Sequence, residues 1–141
     1  MSDLREIAGA IRSRFATLVA TPLGMPTAHD NVPFTPPATG RWCRMTVLFG
    51  LQSGADFGAA SKRYRTAGVA MAQLYEPLGI GDGAQLDVAE AIQDAFRGVT
   101  VTGPPHIAFQ PPYVSAPPAR DDGGYWQVVV SIPFRADEFS Q

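Results

Sequence analysis

The chain has 141 residues, 45% hydrophobic and 17% charged, with 11 basic against 13 acidic residues and a formal net charge of -2. That length fits one domain able to bury about 70% of its unfolded surface, and the near balance of charge excludes a basic wrap for nucleic acid and an acidic solvated tail. The single cysteine, Cys43, excludes an intrachain disulfide.

The low charged fraction leaves much of the surface neutral, a solubility risk in a monomer and an expected property of an assembly subunit. The start, Met1-Ser2-Asp3-Leu4-Arg5-Glu6, has acids where a signal peptide needs a basic start and an apolar run. No apolar stretch approaches the ~20 residues of a membrane span. The expectation is a soluble chain made in the cytoplasm, with no membrane partner.

In chain order, the first predicted element is a helix near residues 3–20. Leu4, Ile7, Ala8, Ile11, Phe15, Leu18 and Val19 recur at three- and four-residue steps, Asp3 and Glu6 form a capping pair, and Thr21-Pro22 and Gly24 end it. Residues 25–40 have no period. Pro26, Pro33, Pro36 and Pro37 force an extended arm whose large apolar residues are Val32 and Phe34.

Residues 41–49 alternate as a strand, with Cys43, Met45, Val47 and Phe49 on one face. A Gly/Ala/Ser loop is expected over 50–61. A second strand is expected over 63–75, with one face left nearly bare by Gly68, Ala70 and Ala72 so that another element can approach closely. After a turn over 77–83, a helix is expected over 84–97, with Asp82 as cap, Gln85 reaching back to it and Gly98 at its C-terminal end. Residues 99–109 read as extended, broken at Gly103-Pro104-Pro105. Asp121-Asp122-Gly123-Gly124 reads as a turn before a last strand over 125–134, whose face is Trp126, Val128, Val130, Ile132 and Phe134.

Strands grouped between two helices predict a single α+β domain over 1–141: a mixed, mostly antiparallel sheet of four to five strands with two helices on one face and a Pro-rich arm at 25–40. The other sheet face is then half open and is the candidate interface.

Chemistry-bearing residues are few. Cys43 is a possible nucleophile with His29 or His106 as base, but its alternation with Met45 and Val47 places it in the core, where a thiol is inert. The same three residues match no zinc spacing. Gly79-Ile80-Gly81-Asp82-Gly83 precedes a helix, yet it lacks the Lys-Ser/Thr of a phosphate loop, so a turn and helix cap is the simpler reading. Lys62-Arg63-Tyr64-Arg65 mixes base and aromatic as single-strand binders do, without the basic field they need, and reads as a subunit-contact patch or a solvated strand start. Asp87, Glu90 and Asp94 fall on the polar side of the second helix, with Arg97 placed to answer Asp94. No catalytic constellation emerges.

Three ordered stretches resemble a known family. They are Asn31-Val32-Pro33-Phe34-Thr35-Pro36-Pro37 followed by Arg41-Trp42-Cys43-Arg44-Met45-Thr46-Val47-Leu48; then Arg63-Tyr64-Arg65-Thr66-Ala67-Gly68-Val69; then Tyr125-Trp126-Gln127-Val128-Val129-Val130-Ser131-Ile132-Pro133-Phe134. Together, and with the same placement of two helices, they resemble the tail terminator (tail completion) proteins of long-tailed phages and prophages. The order Tyr125-Trp126, and the lack of an asparagine near Val129, depart from that family's pattern.

The resemblance implies a tail-terminator-like fold and a structural virion protein, not an enzyme. It implies a homo-hexameric ring that caps the tail tube, stops its polymerisation and presents a surface to the head-tail connector. Implied partners are the chain itself, the tail tube protein, the connector or neck protein and the tape measure protein; implied location is the virion tail at the tail-neck junction. It implies no cofactor and no sequence-specific nucleic-acid contact, although DNA passes through such a ring. Val32, Phe34, Arg41, Arg63 and Arg65 are the expected inter-subunit contacts. Two other functions stay open at this point: a head-completion or neck adaptor, and a small cytoplasmic ligand binder or enzyme using the Gly79–Gly83 turn.

Overall fold

The computed structural model describes residues 4–30, 32–37, 40–54, 62–77, 79, 83–102, 106–114 and 125–140. Its first element is α1 (Leu4–Phe15), which continues through a π-helical turn (Ala16–Ala20) into the short α2 (Thr21–Leu23). The helical run therefore passes Thr21 and Pro22, with the proline falling directly after the π-helical turn. It stops at Gly24, whose φ of 61° is the left-handed conformation that glycine adopts without strain. Ile7, Ile11, Phe15 and Val19 are buried along it, as their spacing requires.

The strands are β1 (Thr27–His29), β2 (Trp42–Gly54), β3 (Lys62–Pro77), β4 (Thr100–Val101), β5 (His106–Phe109), β6 (Tyr113–Val114) and β7 (Tyr125–Ser140). They form one seven-stranded sheet in the order β1-β2-β3-β7-β5-β4, with β6 also on β7. β1 runs parallel to β2 and the remaining pairs are antiparallel. α3 (Gly83–Phe96) packs with α1 on one face. The α+β class and the two packed helices are as expected, while seven strands replace four to five. The additions are β1 and β6, of three and two residues and too short to show alternation, while β4 and β5 are the two pieces of the extended 99–109 stretch.

The sheet is built on β2, β3 and β7, and the core lies between it and the helices. The register sets Cys43 opposite Leu74, Met45 opposite Ala72 and Val47 opposite Ala70, and continues Ala72 to Val130 and Ala70 to Ile132 on β7. Phe15, Phe96, Phe134, Ile11 and Ile92 fill the space above, each side chain contributing roughly 1.5–3 kcal/mol on burial. The small face of β3 takes an aromatic ring. A Cβ on Gly68 would lie 2.5 Å from Phe134 Cζ and 2.5 Å from the Leu48 carbonyl oxygen, so the Phe134 ring rests on bare backbone.

Two further expectations are corrected. Gln85 does not reach back to cap α3. It is fully buried, and its Nε2 donates to the Leu74 carbonyl at 3.0 Å and the Trp126 carbonyl at 2.8 Å, tying the helix start to β3 and β7. The two bonds satisfy the amide N–H group, while Oε1 is buried without a partner among the described residues. Residues 50–54 are not loop. β2 runs on to Gly54 past a bulge between Phe49 and Gln52, and the bulge shifts the alternation that would have revealed the strand. Gly98, with φ 67°, ends α3 as expected. Asp3, Asp82 and the 121–124 turn lie outside the described residues.

Candidate functional site

The sheet face away from the helices carries Trp42, Arg44, Thr46 and Leu48 on β2, and Tyr75, Gln73, Met71, Val69, Ala67 and Arg65 on β3. Two-residue periodicity makes this face the complement of the core face. At one end the Trp42 and Tyr75 rings stack at 4.1 Å, Ala28 packs beside them, and Phe34 lies 5.2 Å from Trp42. The arm thus covers this corner of its own subunit. In the middle, Leu48 is 48% exposed and Val69, Met71 and Pro133 are half-buried.

The far end is charged. The Arg65 guanidinium donates to both Asp137 carboxylate oxygens, at 2.8 and 3.1 Å. Cross-strand register places His106 beside Asp137, and Ala67 and Ala108 on either side of Arg135. The small neighbours leave a recess of about 170 Å3, open on the sheet face and lined by Arg65, Thr100, His106, Ala108, Arg135 and Asp137. Sequence reading singled out Arg65 as a contact, weighed His106 only as a base or metal ligand for Cys43, and missed the others, which come from strands far apart in the chain.

The expected contact residues do not form one cluster. Val32 is 55% exposed. Phe34 is half-buried on Trp42. Arg41 turns to the helix side, where it donates to the Leu23 carbonyl at 3.3 Å and lies 3.8 Å from the Glu76 carboxylate. Arg65 sits at the opposite end of β3. Arg63 is placed by its backbone, paired with Phe139, and its side chain lies outside the described ones.

The reading of Cys43 as a nucleophile finds no support in its surroundings. Cys43 is fully buried, and burial pushes its thiol up to about 11 despite contact with the Thr27 hydroxyl at 3.3 Å. A thiol so raised is not a nucleophile near neutral pH. His29 lies in β1 and His106 in β5, toward opposite edges of the sheet. Burial, with help from the Arg12 charge, holds the His29 imidazole below its ordinary range, against the opposing effect of Asp30. Among the described residues no three His, Cys, Asp or Glu side chains are grouped to hold a metal ion. Of the Gly79–Gly83 turn only its two ends are described, Gly79 with φ 87°. Among the described residues no helix is long and apolar enough to cross a membrane.

What remains is a surface for contact: a half-open sheet face with an aromatic corner, an apolar middle and a charged recess. Such a face is built for contact with another surface. The chain belongs to the phage tail terminator protein family, whose profile matches residues 6–134. It is accordingly a structural component of a phage tail. A solved chain shares the fold at 22% identity and a TM-score of 0.64, over 89% of this chain and 92% of that one. No curated protein sequence matches.

Proposed function

We propose that this protein caps the end of the phage tail tube as a homo-hexameric ring, ends tube polymerisation and forms the surface on which the head connector docks. The observation that carries the reading is family membership across nearly the whole chain. The half-open sheet face supports it, because identical subunits around an axis close by presenting one patch to a different patch on the next copy. The tube, the connector or neck protein and the tape measure protein are its partners. It sits at the tail-neck junction and needs no cofactor. Val32, Phe34, Arg41, Arg63 and Arg65 belong to contacts between copies or with the tube. Among them Val32 is the most accessible apolar contact, and Phe34 acts in part by holding the arm on Trp42.

The test is microscopy of particles assembled without the protein. The expected outcome is tails that are overlong or unattached, beside heads filled with DNA. Tails of normal length beside empty or leaking heads would instead make it a head-completion or neck adaptor.

A further inference from the structure

The charged recess and the outer side of α3 are complementary in sign and face opposite ways. In the recess, two arginines stand against one aspartate. Asp137 is committed to Arg65 through two hydrogen bonds. Arg135 is exposed and makes no ion pair among the described residues. The recess therefore presents the Arg135 guanidinium, with the floor left open by Ala108.

α3 buries Val88, Ala89, Ile92 and Phe96 against the core, so its outer side points away from the sheet. That side carries Asp87, Glu90 and Asp94, all exposed, next to Leu86, which is 48% exposed. Asp94 is answered by Arg97 at 3.0 Å. Asp87 and Glu90 have no such partner among the described residues.

We propose that the recess receives a carboxylate of Asp87 or Glu90 from the outer side of α3 of a second copy of this chain, with Leu86 set against the apolar middle of the sheet face. The inference rests on the ring reading and gives it an interface: the helix side of one subunit packs on the open sheet face of the next. Because the two patches differ, the contact is head-to-tail, the kind that closes into a ring. A planar guanidinium free to accept a carboxylate in fork geometry suits an interface ion pair better than a lysine would. The exposed apolar residues beside it supply the water exclusion that strengthens such a pair.

The pattern of charges dictates the experiment. Arg135→Glu sets glutamate against the acids of α3 in every contact, and Glu90→Arg sets arginine against Arg135 in every contact. Each variant alone should self-associate roughly tenfold or more weakly than the parent. A one-to-one mixture can alternate around a ring so that every contact is again complementary. Sedimentation velocity should therefore show the mixture recovering the parent's assembly. Both positions are exposed, so each variant should melt as the parent monomer does.

Parent protein that assembles while neither reversal changes it removes the interface and leaves the ring. Weakening of both variants without recovery on mixing also overturns the interface, since the two charges would then act separately. If Arg135→Glu spares self-association and loses binding to assembled tubes, the recess belongs to the tube contact and the proposal falls. Parent protein that stays monomeric at every concentration and on tubes removes the ring as well.

Discussion

Glu76 is a carboxylate with 4% of its surface exposed, set near the start of β2 within 3.8 Å of Arg41. Burial raises its proton affinity above the ordinary carboxylate value of 4.5, and the Arg41 charge only partly opposes this. The folded state then binds the proton more tightly than the unfolded chain does. Stability conferred by the protonated group is complete below pH 4.5, declines as pH rises through the raised folded value, and is flat beyond it. Glu76→Gln keeps the shape and removes the ionisation, so the variant should gain stability relative to the parent as pH rises from 4 to 8. Chemical denaturation of both proteins across that range measures the difference. A variant less stable than the parent at neutral pH would mean that the attraction to Arg41 exceeds the burial cost. None of this is visible in the sequence, where Glu76 is one acid before Pro77 in a turn region. Cys43 is the opposite case: its alternation with Met45 and Val47 already fixed it as a core residue, and it is fully buried.

Elements were legible where they are long and one-sided. The alternation over 41–49 and 125–134, and the helical stripes at Ile7, Ile11, Phe15 and at Val88, Ile92, Phe96, correspond to β2, β7, α1 and α3. β1 and β6 were not legible, being held by partners in the sheet rather than by their own pattern. The bulge after Phe49 hid the end of β2. The recess was hidden for a different reason: Arg65, His106, Arg135 and Asp137 are brought together only by the β3-β7-β5 register. The arm shows how local pattern and tertiary packing divide the work. Its prolines make it extended, but what anchors it is Phe34 against Trp42. Phe34→Ala should cost the monomer roughly 1–2 kcal/mol, less than a fully buried phenylalanine, because the ring is only half covered. Parallel measurement of monomer melting and ring formation separates its two roles. A loss of assembly no larger than the monomer loss would restrict Phe34 to its own subunit.

At the scale of the whole molecule, the core is closed by the chain's own helices on one side, while the other side of the sheet stays half covered. The core buries Phe15, Phe96, Phe134, Ile11 and Ile92 without a second subunit, so an isolated chain should fold and unfold cooperatively. Assembly then adds to stability by mass action: whatever binds the folded chain and not the unfolded one raises the melting temperature as its concentration rises. Calorimetry over a hundredfold range of protein concentration should show two regimes. At low concentration the melting temperature is constant and belongs to the monomer. Above the concentration at which rings form it climbs. Added salt should push the onset of that climb upward, since the attraction that draws an arginine and a carboxylate together is screened beyond about 8 Å at physiological ionic strength. Arg135→Glu should share the low-concentration plateau, because Arg135 is exposed in the monomer, and should stay on it where the parent climbs. A parent with no plateau, unfolding below the onset of assembly, would show instead that the half-open face must be covered for the fold to persist.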